Sequence, residues 1–237
     1  MYLSIIIPLY NEENHILDVL NKIENLNLGP FVSDFEIIIV DDNSNDNSFE
    51  VISKYAEGKK HITIRKHNEN SGKGAAIQTA LKIAKGDVFL FQDADLELDP
   101  KDIPRMLDVM RNLNVEFVNG SRYMDGIYRP LSSYWRYVAN KIFTILTSII
   151  INVKITDMAC GYKLIHRNLL EQIELKEKRF GIEAELIIKA LRLKRNNIVE
   201  IPDQYFPRTK DEGKKLGNLD AIKILWKIIK YGLFRVN

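Results

Sequence analysis

Along the first half of the chain, short unbroken apolar runs alternate with segments whose apolar residues fall at helical spacing. Besides His61–Arg65, which reads simply as a further strand, the runs are Leu3–Pro8 (LSIIIP), Phe35–Val40 (FEIIIV) and Val88–Phe91 (VFLF), and polar residues crowd in after each one. Their length, continuity and β-branched content predict strands buried on both faces. Between them, Ile16, Val19, Leu20 and Ile23 keep helical spacing after a turn at Pro8–Glu13, with Asn11 as the expected cap. Further helices are predicted from Asn47 to Ala56 and from Asn70-Ser71-Gly72-Lys73-Gly74 to about Ala84. Strands alternating with helices imply a mostly parallel sheet with right-handed crossovers, its polar loops gathered at one edge.

The pattern changes in the second half. Val115–Asn119 reads as a fifth strand before Gly120-Ser121-Arg122-Tyr123. Residues 128–153 are rich in aromatic and aliphatic side chains and carry Arg129, Arg136 and Lys141, which fits either a core helix pair or helices lying at a membrane interface. Thr156–Leu164 reads as a loop entering a strand. Phe180–Leu193 reads as a helix with Glu183 and Glu185 near its amino end, where the helix dipole favours negative charge. Ile198–Pro202 is the last expected strand, followed by a basic, glycine-containing loop from Arg208 to Lys215 of a kind that can close over phosphates. Finally, 219–236 forms an amphipathic helix. Ile222, Leu225, Trp226, Ile229 and Leu233 lie on one side and Lys223, Lys227 and Lys230 largely on the other, suited to docking on the domain or on anionic lipid.

Composition narrows this picture. The 237 residues contain no repeat and no low-complexity linker, so a single domain, 1–237, is expected. A net charge of +2 argues against nucleic acid as a partner. One cysteine, Cys160, excludes an internal disulfide and fits a reducing cytosol, and the four histidines lack metal-ligand spacing. Ile142–Val153 is too short to span a bilayer, and no signal peptide is visible.

The candidate chemistry lies at the strand ends. Phe91-Gln92-Asp93-Ala94-Asp95-Leu96-Glu97-Leu98-Asp99-Pro100 places acids at alternating positions straight after an apolar run. In an extended or tightly turned segment Asp93, Asp95 and Glu97 can converge, and hard oxygen ligands at this spacing suit Mg²⁺ or Mn²⁺, whose shell water and substrate phosphates complete. Solvated loop chemistry is the plainer alternative, with Asp99 capping a helix that Pro100 opens. Asp41-Asp42 at the end of the second strand is a similar cluster, with more acids than one cap requires. Gly72-Lys73-Gly74 lacks the spacing of a phosphate loop and reads as a close-packed helix start.

Taken in order, SIIIPLYNEE, IIIVDDNSND, NSGKGAAIQTAL, FQDADLELDP, GSRY, TDMACGYKL, RFGIEAEL and RTKDEGKKLG resemble the family 2 glycosyltransferases with the GT-A fold, in particular their dolichyl-phosphate mannose and glucose synthase-like branch. The resemblance implies a Rossmann-like α/β catalytic domain with interfacial helices. It assigns Pro8, Tyr10, Glu12, Val40 and Asp42 to the base and ribose of a nucleotide sugar. Asp93, Ala94 and Asp95 would form the metal and diphosphate site, with Glu97 as a further metal ligand. Arg122 and Arg136 would receive an acceptor phosphate, and Arg208 with Lys214 or Lys215 would clamp the diphosphate.

The implied activity is inverting, metal-dependent hexose transfer from a UDP- or GDP-sugar to a polyprenyl phosphate on the cytoplasmic face of a membrane. Attachment would be peripheral or through an anchoring partner. An ionised phosphate needs no strong base. A sugar-hydroxyl acceptor would need one, and Asp157, Glu183 or Glu185 are the candidates. A catalytically silent nucleotide-sugar-binding scaffold is the reading from another class.

Overall fold

A computed structural model describes residues 1–124, 133–208 and 218–234. Among these, seven strands form one sheet: β1 Tyr2–Leu9, β2 Asp34–Asp41, β3 Ile62–Lys66, β4 Val88–Phe91, β5 Phe117–Ser121, β6 Lys163–His166 and β7 Ile198–Pro202. Their spatial order is β3-β2-β1-β4-β6-β5-β7. Every pairing is parallel except those of β6, which runs antiparallel to both β4 and β5.

The continuous apolar runs follow from burial on both sides. In register, Ile5 aligns with Ile37 and Leu90, and these face helices α1 (Ile16–Glu24), α2 (Ser48–Ala56) and α4 (Ile103–Asn112). The next row, Ile6, Ile38 and Phe91, faces the opposite layer. That layer contains α3 (Lys73–Leu81), α5 (Tyr134–Ile151), the short α6 (Arg167–Leu170), α7 (Ile182–Leu193) and α8 (Asn218–Gly232). Ile5, Ile6 and Ile7 are fully buried, each contributing roughly 1.5–3 kcal/mol from its removal from water.

Several boundaries differ from the expected ones for local reasons. Asn11 does not cap α1, which starts at Ile16; its backbone is left-handed (φ 49°) and its Oδ1 accepts from Asn45 N at 2.8 Å, joining two strand-end loops. α3 ends at Leu81. β5 begins two residues late because Val115 N closes the end of α4 on Met110 O, with Asn114 left-handed. Asp99 does cap, accepting from Lys101 N at 3.2 Å ahead of a 3-10 turn at Pro100–Asp102.

The amphipathic C-terminal helix is present, but the surface it turns to the domain cuts across the two expected stripes, with Leu225 against the core and Lys223 exposed. Ile224, Ile228 and Tyr231 of α8 enter the core, while Ile222 and Trp226 are exposed, as is Leu233 just beyond the helix. The reason is charge: Lys227 and Lys230 turn inward to share Glu177, and Tyr231 also donates to it, at 2.6 Å. α5 is one helix with Phe143, Thr144, Thr147 and Ile151 inward and Trp135, Ile145 and Ile149 outward. The start of the expected 128–153 segment lies outside the described residues. Among the described residues no helix is long and apolar enough to cross a membrane.

Asp203, just after β7, is fully buried, and its Oδ1 has no hydrogen-bond partner among the described residues. Burial, reinforced by the charge of Asp102, pushes its carboxyl up to about 7. The unfolded chain releases this proton near pH 4 and the folded protein near 7, so between them stability falls as pH rises, by up to about 1.4 kcal/mol per unit. Urea melts of Asp203→Asn should match wild type near pH 4 and show the variant increasingly the more stable toward pH 8.

Candidate active site

The carboxyl ends of β1, β2 and β4 open onto a cavity of about 370 Å³, the usual place for ligands in an open α/β sheet. β1 supplies Pro8, Tyr10 and Glu12, β2 supplies Asp42, and the loop after β4 supplies Asp93, Ala94, Asp95 and Glu97. From the other half come Arg122 after β5, Gly161 before β6, Glu183 in the first turn of α7, and Tyr205 and Arg208 beyond β7. The β1 and β2 loops are stapled together, Asn11 N donating to Ser44 Oγ at 2.9 Å and Glu12 N to Ser48 Oγ at 2.8 Å. Asp42 accepts from Ser71 N (2.9 Å) and Gly72 N (2.6 Å), and it is 2.7 Å from His67 Nδ1. It thereby fixes the start of α3, where Gly72 takes φ 100°, a conformation side chains disfavour.

The acidic wall is held by two protein cations. Lys73 Nζ lies 2.6 Å from Asp93 Oδ1 and 2.7 Å from Glu183 Oε1. Burial opposes its charge, but the two carboxylates outweigh burial and raise its pKa. Arg208 forks onto Glu12 (2.8 and 3.0 Å) and reaches Asp95 Oδ2 at 2.8 Å. Even so, burial and then the charges of Asp93 and Glu97 raise the Asp95 pKa against the pull of Arg208. Negative charge is therefore in excess here, and the donors are hard oxygens, a set that fits a divalent cation.

Among the described residues no group of three acidic, histidine or cysteine side chains can hold a metal ion by itself. Asp93, Asp95 and Glu97 all line the cavity, and the charges of Asp93 and Glu97 both act on Asp95. Glu97 accepts from Arg208 N at 2.8 Å and Tyr205 hydroxyl at 3.0 Å, pinning the segment after β7. Asp93 and Asp95 remain as the pair, with the rest of a shell left to water and phosphate oxygens.

Across the cavity, Arg122 is gripped by Asp157, Nε to Oδ2 at 2.6 Å and Nη2 to Oδ1 at 2.8 Å. Burial works against both charges, and mutual attraction overcomes it, lowering the Asp157 pKa and raising that of Arg122. Asp157 is fully buried behind Arg122 and does not line the cavity, so its candidacy as a base is corrected to orienting that arginine. Glu185 is likewise fully buried, accepting from the backbone of Lys176 and Glu177 and pairing with Lys189. Glu183 alone of the three candidate bases faces the cavity.

Arg136 sits half-buried in the first turn of α5 and does not line the cavity. Its neighbour Tyr137 packs edge-on against Tyr123 with ring centres 5.5 Å apart, which brings the start of α5 beside the Arg122 corner. Val40 is paired with Pro8 but its side chain is in the core. Lys214 and Lys215 lie outside the described residues. Sequence reading missed Lys73, whose signal was a charge between two glycines at a strand-end helix start, and Tyr205, which had no signal.

The sequence profile of Glycosyl transferase family 2 matches residues 4–174, more than half of the protein. The chain belongs to glycosyltransferase family 2. A dolichol-phosphate mannosyltransferase of Pyrococcus furiosus is 28% identical over 236 residues, covering 98% of this chain, which spans 64% of that relative's length. A dolichyl-phosphate beta-glucosyltransferase of Dictyostelium discoideum is 28% identical over 229 residues, 91% of this chain and 69% of that one. The fold is GT-A, as in glucosyl-3-phosphoglycerate synthase of Mycobacterium tuberculosis (TM-score 0.72, 18% identity, 98% of this chain and 80% of that one). That enzyme has been crystallised with Mn²⁺, UDP and glucosyl-3-phosphoglycerate.

Removing one partner of the Arg122–Asp157 pair strands a buried charge. Asp157→Ala should cost about 3–5 kcal/mol in chemical unfolding, whereas Glu183→Gln, at a cavity-lining site, should cost far less.

Proposed function

We propose that this family 2 enzyme is an inverting, metal-dependent hexosyltransferase acting from a UDP- or GDP-sugar onto a polyprenyl phosphate. The observation that carries this reading is the state of the candidate bases. Asp157 and Glu185 are buried in ion pairs away from the cavity, and Glu183 is held by Lys73. A site whose bases are committed suits an acceptor that arrives already ionised, as a phosphate monoester does near neutral pH. The names of the dolichyl-phosphate relatives support the same acceptor class.

Asp93 and Asp95 would hold Mg²⁺ or Mn²⁺, which when bound supplies positive charge for the departing nucleoside diphosphate. Pro8, Tyr10, Glu12, Val40 and Asp42 would shape the base and ribose site, and Ala94 would let the diphosphate approach. Arg122, oriented by Asp157, would receive the acceptor phosphate, and Arg136 would join it from the first turn of α5, where the helix dipole also favours an anion. An acceptor oxygen then bonds to the anomeric carbon from the face opposite the leaving group. The bond to the nucleoside diphosphate breaks with its electron pair, and configuration inverts. Arg208, with Lys214 or Lys215, would bind the diphosphate.

The outward apolar face of α5 and α8 supports peripheral contact with the cytoplasmic face of a membrane. Trp135 is 79% and Trp226 56% exposed, with Ile145, Ile149 and Ile222 on the same helices, in the arrangement of an interfacial helix pair. Cosedimentation with anionic liposomes should fall at least tenfold in the double variant Trp135→Ser/Trp226→Ser. Equal sedimentation would instead favour anchoring through a partner.

Reaction class is tested by assaying UDP- and GDP-hexoses with a short polyprenyl phosphate and Mg²⁺ or Mn²⁺. Lipid product from one donor, reduced at least 100-fold by Asp95→Asn and by Arg122→Ala, is expected. Donor hydrolysis without lipid product would move the acceptor to a hydroxyl, with Glu183 as base. Nucleotide binding with no turnover would favour the scaffold reading.

A further inference from the structure

Arg208 contacts Asp95, one of the two carboxylates assigned to the cation, at 2.8 Å. Its two terminal nitrogens span the cavity from Glu12, beyond β1, to Asp95, beyond β4. We propose that Arg208 is a built-in stand-in for the divalent ion: in the ligand-free enzyme it occupies the Asp95 carboxylate, suppresses metal binding, and is released when donor diphosphate arrives. This rests on the reading of Asp93 and Asp95 as the cation-binding pair.

Two observations single out Arg208, rather than Lys73, as the displaceable cation. Lys73 opens a helix packed hard against neighbouring backbone, with Ala75 N donating to Lys178 O at 2.9 Å and no room for a Cβ on Gly74, which would lie 2.1 Å from Glu177 O. Its backbone is thus anchored, with the ammonium between Asp93 and Glu183. Arg208 lies in irregular chain beyond β7, held by its backbone N–H to Glu97 Oε1 at 2.8 Å.

The second observation is chemical. Among the described residues the Nε of Arg208 is buried without a hydrogen-bond partner, while both terminal nitrogens are spent on carboxylates. A phosphate oxygen pair accepts from Nε and one terminal nitrogen together, so a diphosphate offers this guanidinium a better-satisfied arrangement than Glu12 and Asp95 do. A divalent ion offers it only repulsion. Metal alone must therefore bind against Arg208, whereas metal with diphosphate binds after the guanidinium has a new partner. Donor and metal become coupled ligands, each raising the other's affinity by the same factor.

The test is Mn²⁺ binding, read from the free-ion EPR signal with and without UDP or GDP, in wild type, Arg208→Gln and Arg208→Lys, with melting curves to confirm folding. Arg208→Gln should bind Mn²⁺ alone at least tenfold tighter than wild type, and the gain that nucleotide adds should shrink by the same factor. Arg208→Lys keeps the charge but loses the two-carboxylate fork, so it should fall between, at least threefold tighter, and it carries the test if the Gln variant does not fold. Unchanged or weaker Mn²⁺ binding in the variants, with wild type binding Mn²⁺ and nucleotide together, overturns the role of Arg208 alone. Absence of Mn²⁺ binding in all three proteins, with or without nucleotide, overturns the cation-site reading and this inference with it.

Discussion

Carboxylates gathered in a partly buried pocket repel one another strongly, and much of this molecule is arranged to answer that repulsion. Glu12, Asp93, Asp95 and Glu97 are delivered by two adjacent strands, β1 and β4, and neither strand brings a counter-charge with it. Positive charge has to come from elsewhere in the chain. Lys73 brings it from α3 and Arg208 from beyond β7, so segments more than a hundred residues apart are tied to one locus. The segment after β7 is fastened there again by an antiparallel bridge between Leu98 and Tyr205, with Phe206 N donating to Glu97 O at 2.9 Å. The acids thus organise loop structure as well as forming a binding wall.

The opposite wall follows the same rule with the signs exchanged. Arg122 would be costly to bury alone, and Asp157 makes its burial tolerable while fixing its direction. Such pairs add little net stability over an apolar alternative; their contribution is orientation. The loop bearing Asp157 is itself held from behind. Glu200 of β7 accepts from Thr156 N at 2.6 Å, and Asn119 donates to Asp157 O at 2.9 Å while accepting from the buried Lys163 at 2.6 Å.

Strands β1, β2 and β4 were legible because burial on both faces writes a continuous apolar run, and Asp93 with Asp95 because alternate residues share a side. The direction of β6 was not, since Lys163–His166 has the same pattern either way and only pairing of Phe91 with Lys163 sets it. The pairing of Asp157 with Arg122 was not legible because its partner lies 35 residues away and meets it only in the folded chain. Spacing on α8 revealed two stripes but not the surface that turns inward; that depends on Glu177, fifty residues earlier in the chain. Lys73 was hidden by a sufficient local explanation, a glycine-flanked helix start.

The reversed strand β6 has a consequence for how such enzymes diversify. Its amino-terminal end, and not its carboxyl end, reaches the cavity, so Gly161 enters beside Asp93 so closely that a Cβ would lie 2.4 Å from the carboxylate oxygen. The pocket is consequently split along the sheet. Chain up to β4 furnishes one wall as a parallel-stranded unit, and most of the other comes from chain after Phe117, with Tyr205 and Arg208 crossing back to the acids. A lineage can redraw the second wall by mutation or insertion while the first keeps its geometry, exchanging one reaction partner without relearning the other. The seam lies at Gly161, where the two inheritances touch and where neither can grow by a single methyl group.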